Sequence, residues 1–248
     1  MLAIIGGTGL TKLANLEVVR REVIRTPYGE PSGALTFGKI KGRDVVFLAR
    51  HGYGHTIPPH EVNYRANIWA LDAQQVTRVV SVASVGAIRS DLAPGDLVVP
   101  HQIIDYTYGR RNTFFEGGEQ PVTHVDFTEP YSAGLRAQLL RAAAQAGQHV
   151  TDGSVYAATQ GPRLETAAEI NRFERDGADI VGMTGMPEAV LAHEIGLDYA
   201  ALTVVANHAA GRRSSAHGIH MEDINAVLQS AMLRVKNVLE HLVELDGE

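Results

Sequence analysis

An α/β fold, built as a single domain around a mixed, mainly parallel central sheet flanked by helices, is what the sequence predicts. Short apolar, β-branched runs alternate with longer helical patterns almost from end to end, as they do where crossover helices join parallel strands. The runs 34–40 and 44–49 are separated only by Lys41-Gly42-Arg43, which reads as an antiparallel hairpin and makes the sheet mixed. No Ser/Gly/Pro linker, charge run or fixed-period repeat divides the chain, so residues 1–248 read as one domain.

The expected strands are 2–5, 34–40, 45–49, 79–83, 96–100, 154–159, 180–182 and 200–206. The expected helices are 62–74, 134–145, 166–175, 187–196 and 221–245. In the last, Ile224, Val227, Leu228, Met232, Val235 and Leu239 form an amphipathic stripe. Thr166 and Glu169 fit a capping box that starts the third helix. Gly147 and Gly196 follow helical patterns where a left-handed C-terminal cap is expected. The stretch 106–128 is the longest without a period, and a loop of that length in a compact domain is usually functional.

Composition narrows the function classes. Hydrophobic residues make up 45% and charged residues 20%, ordinary values that argue against fibrous or disordered chains. Lys and Arg number 22 against 28 Asp and Glu, a formal charge of −6, which argues against a mainly electrostatic nucleic-acid binder. With no cysteine there is no disulfide, thiolate nucleophile or Cys-ligated metal. The start MLAIIGGTGL lacks a basic n-region, so no signal peptide is expected. Nor does any apolar stretch approach the roughly 18 residues of a membrane span. A cytoplasmic location is the expectation.

Six segments carry candidate chemistry. Gly6-Gly7-Thr8-Gly9 follows the first strand and fits an anion cradle of backbone N–H groups plus the Thr8 hydroxyl, or a plain tight turn. It matches neither G-x-G-x-x-G nor a Walker loop. Arg50-His51 sits at a strand's carboxyl end, where open α/β sheets place ligands, and an Arg fork suits phosphate. His51, His55 and His60 could suggest metal ligation, but no carboxylate motif accompanies them. In 80–88, apolar residues give way to Ser84 and Gly86 at a strand end. Glu165, after Gln160-Gly161-Pro162, is either a site residue or a first-turn acid facing the helix dipole. Thr184, before Pro187 at a helix start, binds an anion or caps the helix. Asn207, ending an apolar strand, marks a pocket or a turn.

Taken in order, these segments resemble the trimeric purine nucleoside phosphorylase and methylthioadenosine phosphorylase family over nearly the whole chain. The resemblance is carried by GGTGL at 6–10, RHGYGHTIPPHEVNYRANIWAL at 50–71, SVGAIRSDLAPGDLVVP at 84–100, TQGPRLETAAEI at 159–170 and GMTGMPEAVLAHEIGLDYA at 182–200. It implies a nucleoside phosphorylase-like fold and a pentosyltransferase of purine salvage. Such an enzyme splits an N-glycosidic bond with inorganic phosphate as co-substrate, without metal or organic cofactor. It also implies a homotrimer with active sites near subunit contacts. Thr8, Arg50, His51, Ser84 and Thr184 match the family's phosphate-binding positions. Met183 matches the residue packed on sugar and base, and Asn207 the one meeting the purine N7 edge. His124 resembles a histidine near the sugar in the methylthioadenosine enzymes.

The base-reading positions depart from the adenine pattern. Methylthioadenosine phosphorylases carry aspartates where this chain has Asn207 and Ala209, and a small hydroxyl residue in place of Glu165. An amide donates and accepts, whereas a carboxylate only accepts. Asn207 therefore suits an oxygen at purine position 6, and Glu165 an N1–H. Both are assigned to substrate binding and catalysis. For the 5′ group, a final helix beginning at Met221 places Ile219 and Met221 against it as an apolar, polarizable lining. A one-residue slip substitutes His220 and a hydroxyl partner. The expected reaction is phosphorolysis of S-methyl-5′-thioinosine, with inosine, guanosine or methylthioadenosine as the competing substrates.

Overall fold

The computed structural model describes residues 1–117 and 122–245. Its strands are β1 (Leu2–Gly6), β2 (Glu17–Glu22), β3 (Leu35–Ile40), β4 (Arg43–Ala49), β5 (Arg78–Ala87), β6 (Leu97–Val99), β7 (Gln102–Asp105), β8 (Val150–Asp152), β9 (Val155–Ala158), β10 (Ile180–Gly182) and β11 (Asp198–His208). The helices are α1 (Tyr64–Asp72), α2 (Ala133–Gln145), α3 (Ala167–Arg175), α4 (Gly185–Glu194) and α5 (Met221–Leu245), with a 3₁₀ turn at Arg213–Ser215. Every expected helix and strand is present, most within two residues of its expected bounds. β5 and β11 run longer, to Ala87 and His208, and β2, β7 and β8 are additions.

All eleven strands join one sheet, with a path β2-β3-β4-β1-β5-β10-β9-β7 and β11 pairing with β5 and β6. The β1–β4, β1–β5, β5–β11, β9–β10, β7–β9 and β6–β8 pairs are parallel. The β2–β3, β3–β4, β5–β10 and β6–β11 pairs are antiparallel. The sheet is thus mixed and mainly parallel, as expected.

Successive side chains on a strand face opposite sides, and both sides here are buried. On β1, Leu2 and Ile4 enter a core shared with Leu135 and Leu139 of α2 and Leu228, Val235 and Leu239 of α5. Ala3 and Ile5 enter the other core, with Ile68 and Leu71 of α1 and Ala189 and Leu191 of α4. Buried on both faces, the central strands read as continuous apolar runs rather than alternating ones. Their stability comes from that burial, and their carboxyl ends are left to polar and small residues.

Local signals set the helix starts. Asn63 and Ser132 accept from Ala66 N–H and Leu135 N–H as caps of α1 and α2. Thr166 and Glu169 make the expected reciprocal capping box at α3. Gly147 and Gly196 adopt φ of 64° and 76° after α2 and α4, where a left-handed residue ends a helix.

Candidate active site

The carboxyl ends of four parallel strands meet at one edge of the sheet. Gly6 of β1 lies beside Ala49 of β4 and Val82 of β5, and Asn207 of β11 beside Gly86. Thr8, Arg50, Ser84 and Asn207 follow or end these strands and line one cavity of about 560 Å³. Also in its wall are His51, Glu165, Met183, Thr184, Ala209, Ile219 and Met221. The structure therefore brings together every candidate residue except His124. That residue is exposed and outside the lining, because the segment carrying it runs along the surface of its own chain.

At one end of the cavity, Arg50 is wholly buried. Its Nε and Nη2 donate to Glu188 Oε2 and Oε1 at 2.6 and 2.9 Å, Nη2 also donates to Ser81 Oγ at 2.6 Å, and Nη1 donates to Val82 O at 3.2 Å. A guanidinium has five N–H donors, so one Nη1 hydrogen has no acceptor among the described residues. It belongs to the nitrogen facing the glycine turn: a Cβ on Gly7 would stand 2.7 Å from Nη1. Only glycine lets backbone and guanidinium approach this closely. Burial opposes the arginine's charge, but the Glu188 carboxylate outweighs it and holds the guanidinium protonated. Tyr199 donates a further bond to Glu188 Oε1 at 2.8 Å.

His51 Nδ1 lies 2.8 Å from Ile57 O. A carbonyl only accepts, so the proton is on Nδ1 and Nε2 is left as the acceptor. Burial first, then the Arg50 charge, push this imidazole down to about 4, which leaves it neutral at pH 7. Thr184 precedes α4 without making a side-chain cap, and Met186 interrupts the helical backbone there. Its hydroxyl is therefore not committed to the helix, and it lines the cavity.

Glu165 lies before Thr166, the residue that caps α3, so the first-turn acid of that helix is Glu169 and not Glu165. Thr159 Oγ1 donates to Glu165 Oε1 at 2.7 Å, leaving Oε2 for a ligand. Burial raises the Glu165 pKa from its ordinary value, with the Thr159 bond opposing it. Asn207 is aimed by a bulge: β11 pairs Val205 with Val85 and Asn207 with Gly86, leaving Ala206 extra. Bulges re-aim side chains next to functional sites. Asn207 Nδ2 donates one hydrogen to His208 O at 2.7 Å; among the described residues its second hydrogen and Oδ1 are left over.

Towards α5 the cavity becomes apolar, with Ile219, Met221 and Ile224 in its wall. The expected register of the last helix holds. His217 and His220 are exposed and outside the lining, so the slip that would substitute His220 does not occur.

Sequence reasoning gave Glu188 no role. Its one signal was a carboxylate inside the otherwise apolar MPEAVLA, where an unpaired charge is not tolerated. Ile57, Val181 and Ile224 in the lining carried no signal of their own. Among the described residues, no cluster of three or more His, Cys, Asp or Glu is placed to hold a metal ion. None of the described helices is long and apolar enough to cross a membrane.

A strand-end pocket with a cation and glycine turn at one end and an amide and carboxylate further along can hold an anion at one end and a polar planar ligand at the other. Residues 1–244 match the phosphorylase superfamily. A probable S-methyl-5′-thioinosine phosphorylase of Pseudomonas syringae pv. tomato is 51% identical over 241 residues, 97% of each chain. The 6-oxopurine nucleoside phosphorylase of Pyrococcus furiosus is 46% identical over 215 residues, 85% of this chain and 80% of that one. Among solved structures, a methylthioadenosine phosphorylase from Schistosoma mansoni in complex with adenine superposes with a TM-score of 0.94. It is 32% identical, and the match covers 99% of this chain and 91% of that one. The chain belongs to the phosphorylase superfamily, in its purine nucleoside and methylthioadenosine phosphorylase branch, a family of pentosyltransferases.

Proposed function

We propose that the chain, acting as a single catalytic domain, converts S-methyl-5′-thioinosine and phosphate into hypoxanthine and S-methyl-5-thio-α-D-ribose 1-phosphate. The observation that carries this reading is that Glu165 and Asn207 share one cavity with the Arg50 cradle and an apolar wall of Ile219, Met221 and Ile224. The names of the relatives from Pseudomonas syringae and Pyrococcus furiosus support the two halves of the substrate, methylthio and 6-oxopurine.

In this reading Arg50, His51, Thr8, Ser84 and Thr184 hold phosphate beneath the anomeric carbon, so nucleophile and sugar are aligned before reaction. The bond from C1′ to N9 breaks with its electron pair going to the base, while a phosphate oxygen bonds to C1′. The ribosyl centre is oxocarbenium-like between these events, and Met183 packs against sugar and base. Charge builds on the departing purine. Asn207 donates its remaining Nδ2 hydrogen to N7 or O6, which stabilises that charge, and the departing purine anion then takes up a proton from water. Glu165 Oε2 accepts from N1–H and holds the base in register. An adenine would turn its N1 lone pair towards an ionised Glu165, and an unpaired buried contact of that kind discriminates strongly.

The reaction needs no organic cofactor or metal in this scheme; phosphate is the co-substrate. A homotrimer and a cytoplasmic location belong to the same proposal. His124, which its own chain leaves outside the pocket, then reaches the sugar of a neighbouring subunit. The deciding experiment compares methylthioinosine, inosine, guanosine and methylthioadenosine with and without phosphate. Phosphate-dependent base release, fastest from methylthioinosine, is expected. Faster release from inosine or methylthioadenosine would replace the substrate assignment, and release without phosphate would replace the reaction.

A further inference from the structure

We infer that Arg110 is a positioning residue that locks the base-reading loop to the loop carrying Met183 and Thr184, so that both ends of the pocket move as one unit. This rests on the reading above of which residues meet base and phosphate. Arg110 lies in the long aperiodic segment 106–128, whose only other residue in the proposed mechanism is His124.

Its guanidinium is planar and spreads its donors as a fork. Here it is set among backbone carbonyls of both loops. Nη2 donates to Thr159 O at 3.1 Å and to Gln160 O at 2.8 Å, and Nε donates to Gln160 Oε1 at 3.2 Å. On the other side, Nη1 donates to Met183 O at 2.8 Å and to Met186 O at 2.6 Å, with Tyr64 Oη at 3.3 Å. All five N–H groups thus have acceptors, and one side chain spans two loops 49 to 76 residues away from it in sequence.

The two loops already touch at their strand ends, where Thr159 N–H meets Gly182 O at 2.8 Å. Thr159 then holds Glu165 through its hydroxyl, and Gly182 leads directly into Met183 and Thr184. Arg110 extends that junction on both sides, towards Gln160 and towards Met186. Among the described residues every acceptor it uses is a neutral oxygen. No carboxylate draws it aside, and the shape of the fork, more than its charge, fixes the separation of the two loops. A lysine keeps the charge but places its donors on one nitrogen and cannot reach both sides.

The test uses the full chain, with R110M and R110K beside the wild type. The first readout is steady-state kinetics of the folded proteins. Both variants are expected to lose about ten- to a hundredfold in kcat/KM. KM should rise for nucleoside and phosphate together, and the preference for 6-oxo over 6-amino purines should shrink. A merely structural role would lower heat stability and leave these parameters unchanged in the molecules that remain folded. If R110M does not fold, R110K alone decides, because it keeps the stem and the charge.

The second readout is amide hydrogen exchange without ligands, which is expected to quicken in 159–165 and 183–186 together. Wild-type kinetics in folded R110K, a defect confined to one substrate, or exchange that changes in one loop only would overturn the inference. A wild-type protein that releases no base would overturn the functional reading instead, and the exchange result would still decide this one.

Discussion

Glu188 grips Arg50 side-on, its two oxygens 2.6 and 2.9 Å from Nε and Nη2, and solvent reaches neither side chain. The pairing satisfies one charge with another and turns the remaining Nη1 hydrogen towards the glycine turn. Removing one member leaves a buried charge alone, which costs about 3–5 kcal/mol. Glu188→Ala is therefore expected to lose about that much stability in urea denaturation, together with phosphate affinity. The double variant R50M/E188M should regain most of the stability and none of the phosphate binding. A double variant no more stable than Glu188→Ala would show that the pair acts through something other than mutual neutralisation.

Asn207 touches the base in the proposed reaction only through its amide, and its backbone position is set by the bulge and not by its side chain. Asn207→Ala should reduce kcat by about a hundred- to a thousandfold, the scale of losing a donor aimed at developing charge. The thermal midpoint should move little. Turnover within a few-fold of wild type, measured by release of free base, would remove Asn207 from the chemistry.

Glu165 couples base choice to pH. Burial raises its pKa, so as the pH falls the carboxyl takes up a proton sooner than an ordinary glutamate would. The neutral acid presents an O–H to an adenine N1, where the carboxylate presents only lone pairs. The preference for 6-oxo over 6-amino nucleosides is expected to weaken as the pH is lowered. In Glu165→Gln the same ratio should be smaller and flat with pH. Rates for methylthioinosine and methylthioadenosine across pH 5 to 8 test both statements, and a pH-independent ratio in the wild type would contradict the first.

His51 gives the fold its own pH dependence. Unfolded, its imidazole binds a proton near the ordinary value of about 6.5; folded, it does so only near about 4. Between these values the unfolded chain holds more protons, so stability rises with pH across the window and is lost as the pH falls from the upper value to the lower. The full traverse is worth about 3 kcal/mol. His51→Gln, which cannot titrate there, should lack this part of the slope. Denaturation at several pH values between 4 and 7 measures the difference, and parallel slopes would show that His51 does not carry it.

Much of this was legible in the sequence, for physical reasons that differ from element to element. β1 and β11 are buried on both faces, so they announce themselves as unbroken apolar runs. α5 is amphipathic over 25 residues, long enough for its period to be unmistakable. β2, by contrast, reads Glu17-Val-Val-Arg-Arg-Glu22 and is exposed throughout; an edge strand with no buried face has no alternation to display. β7 and β8, of four and three residues, are too short for any period.

The site divides the same way. Thr8, Arg50, Ser84 and Asn207 sit at strand ends, where chain order alone converges on one edge. The partners of Arg50 and Arg110 lie far along the chain, and no local pattern links Arg50 to Glu188 or Arg110 to Met183. Those links exist only once the loops are folded against each other. His124 shows the opposite limit: its likeness to a family position says nothing about where its own chain places it, which is outside the pocket.

The extra residue at Ala206 separates two jobs along one strand. Val204 and Val205 remain locked into the interior, while past the slip the strand pairs with β5 again, at Asn207 and His208, in a shifted register. Asn207 is half-buried in the cavity wall, so its side chain can be exchanged without disturbing the apolar contacts behind it, whereas Ala209 packs into a core with Ile88 and Ala157. In the proposed reaction, editing Asn207 at the tip of β11 retunes which nucleobase is read and leaves the residues around phosphate untouched.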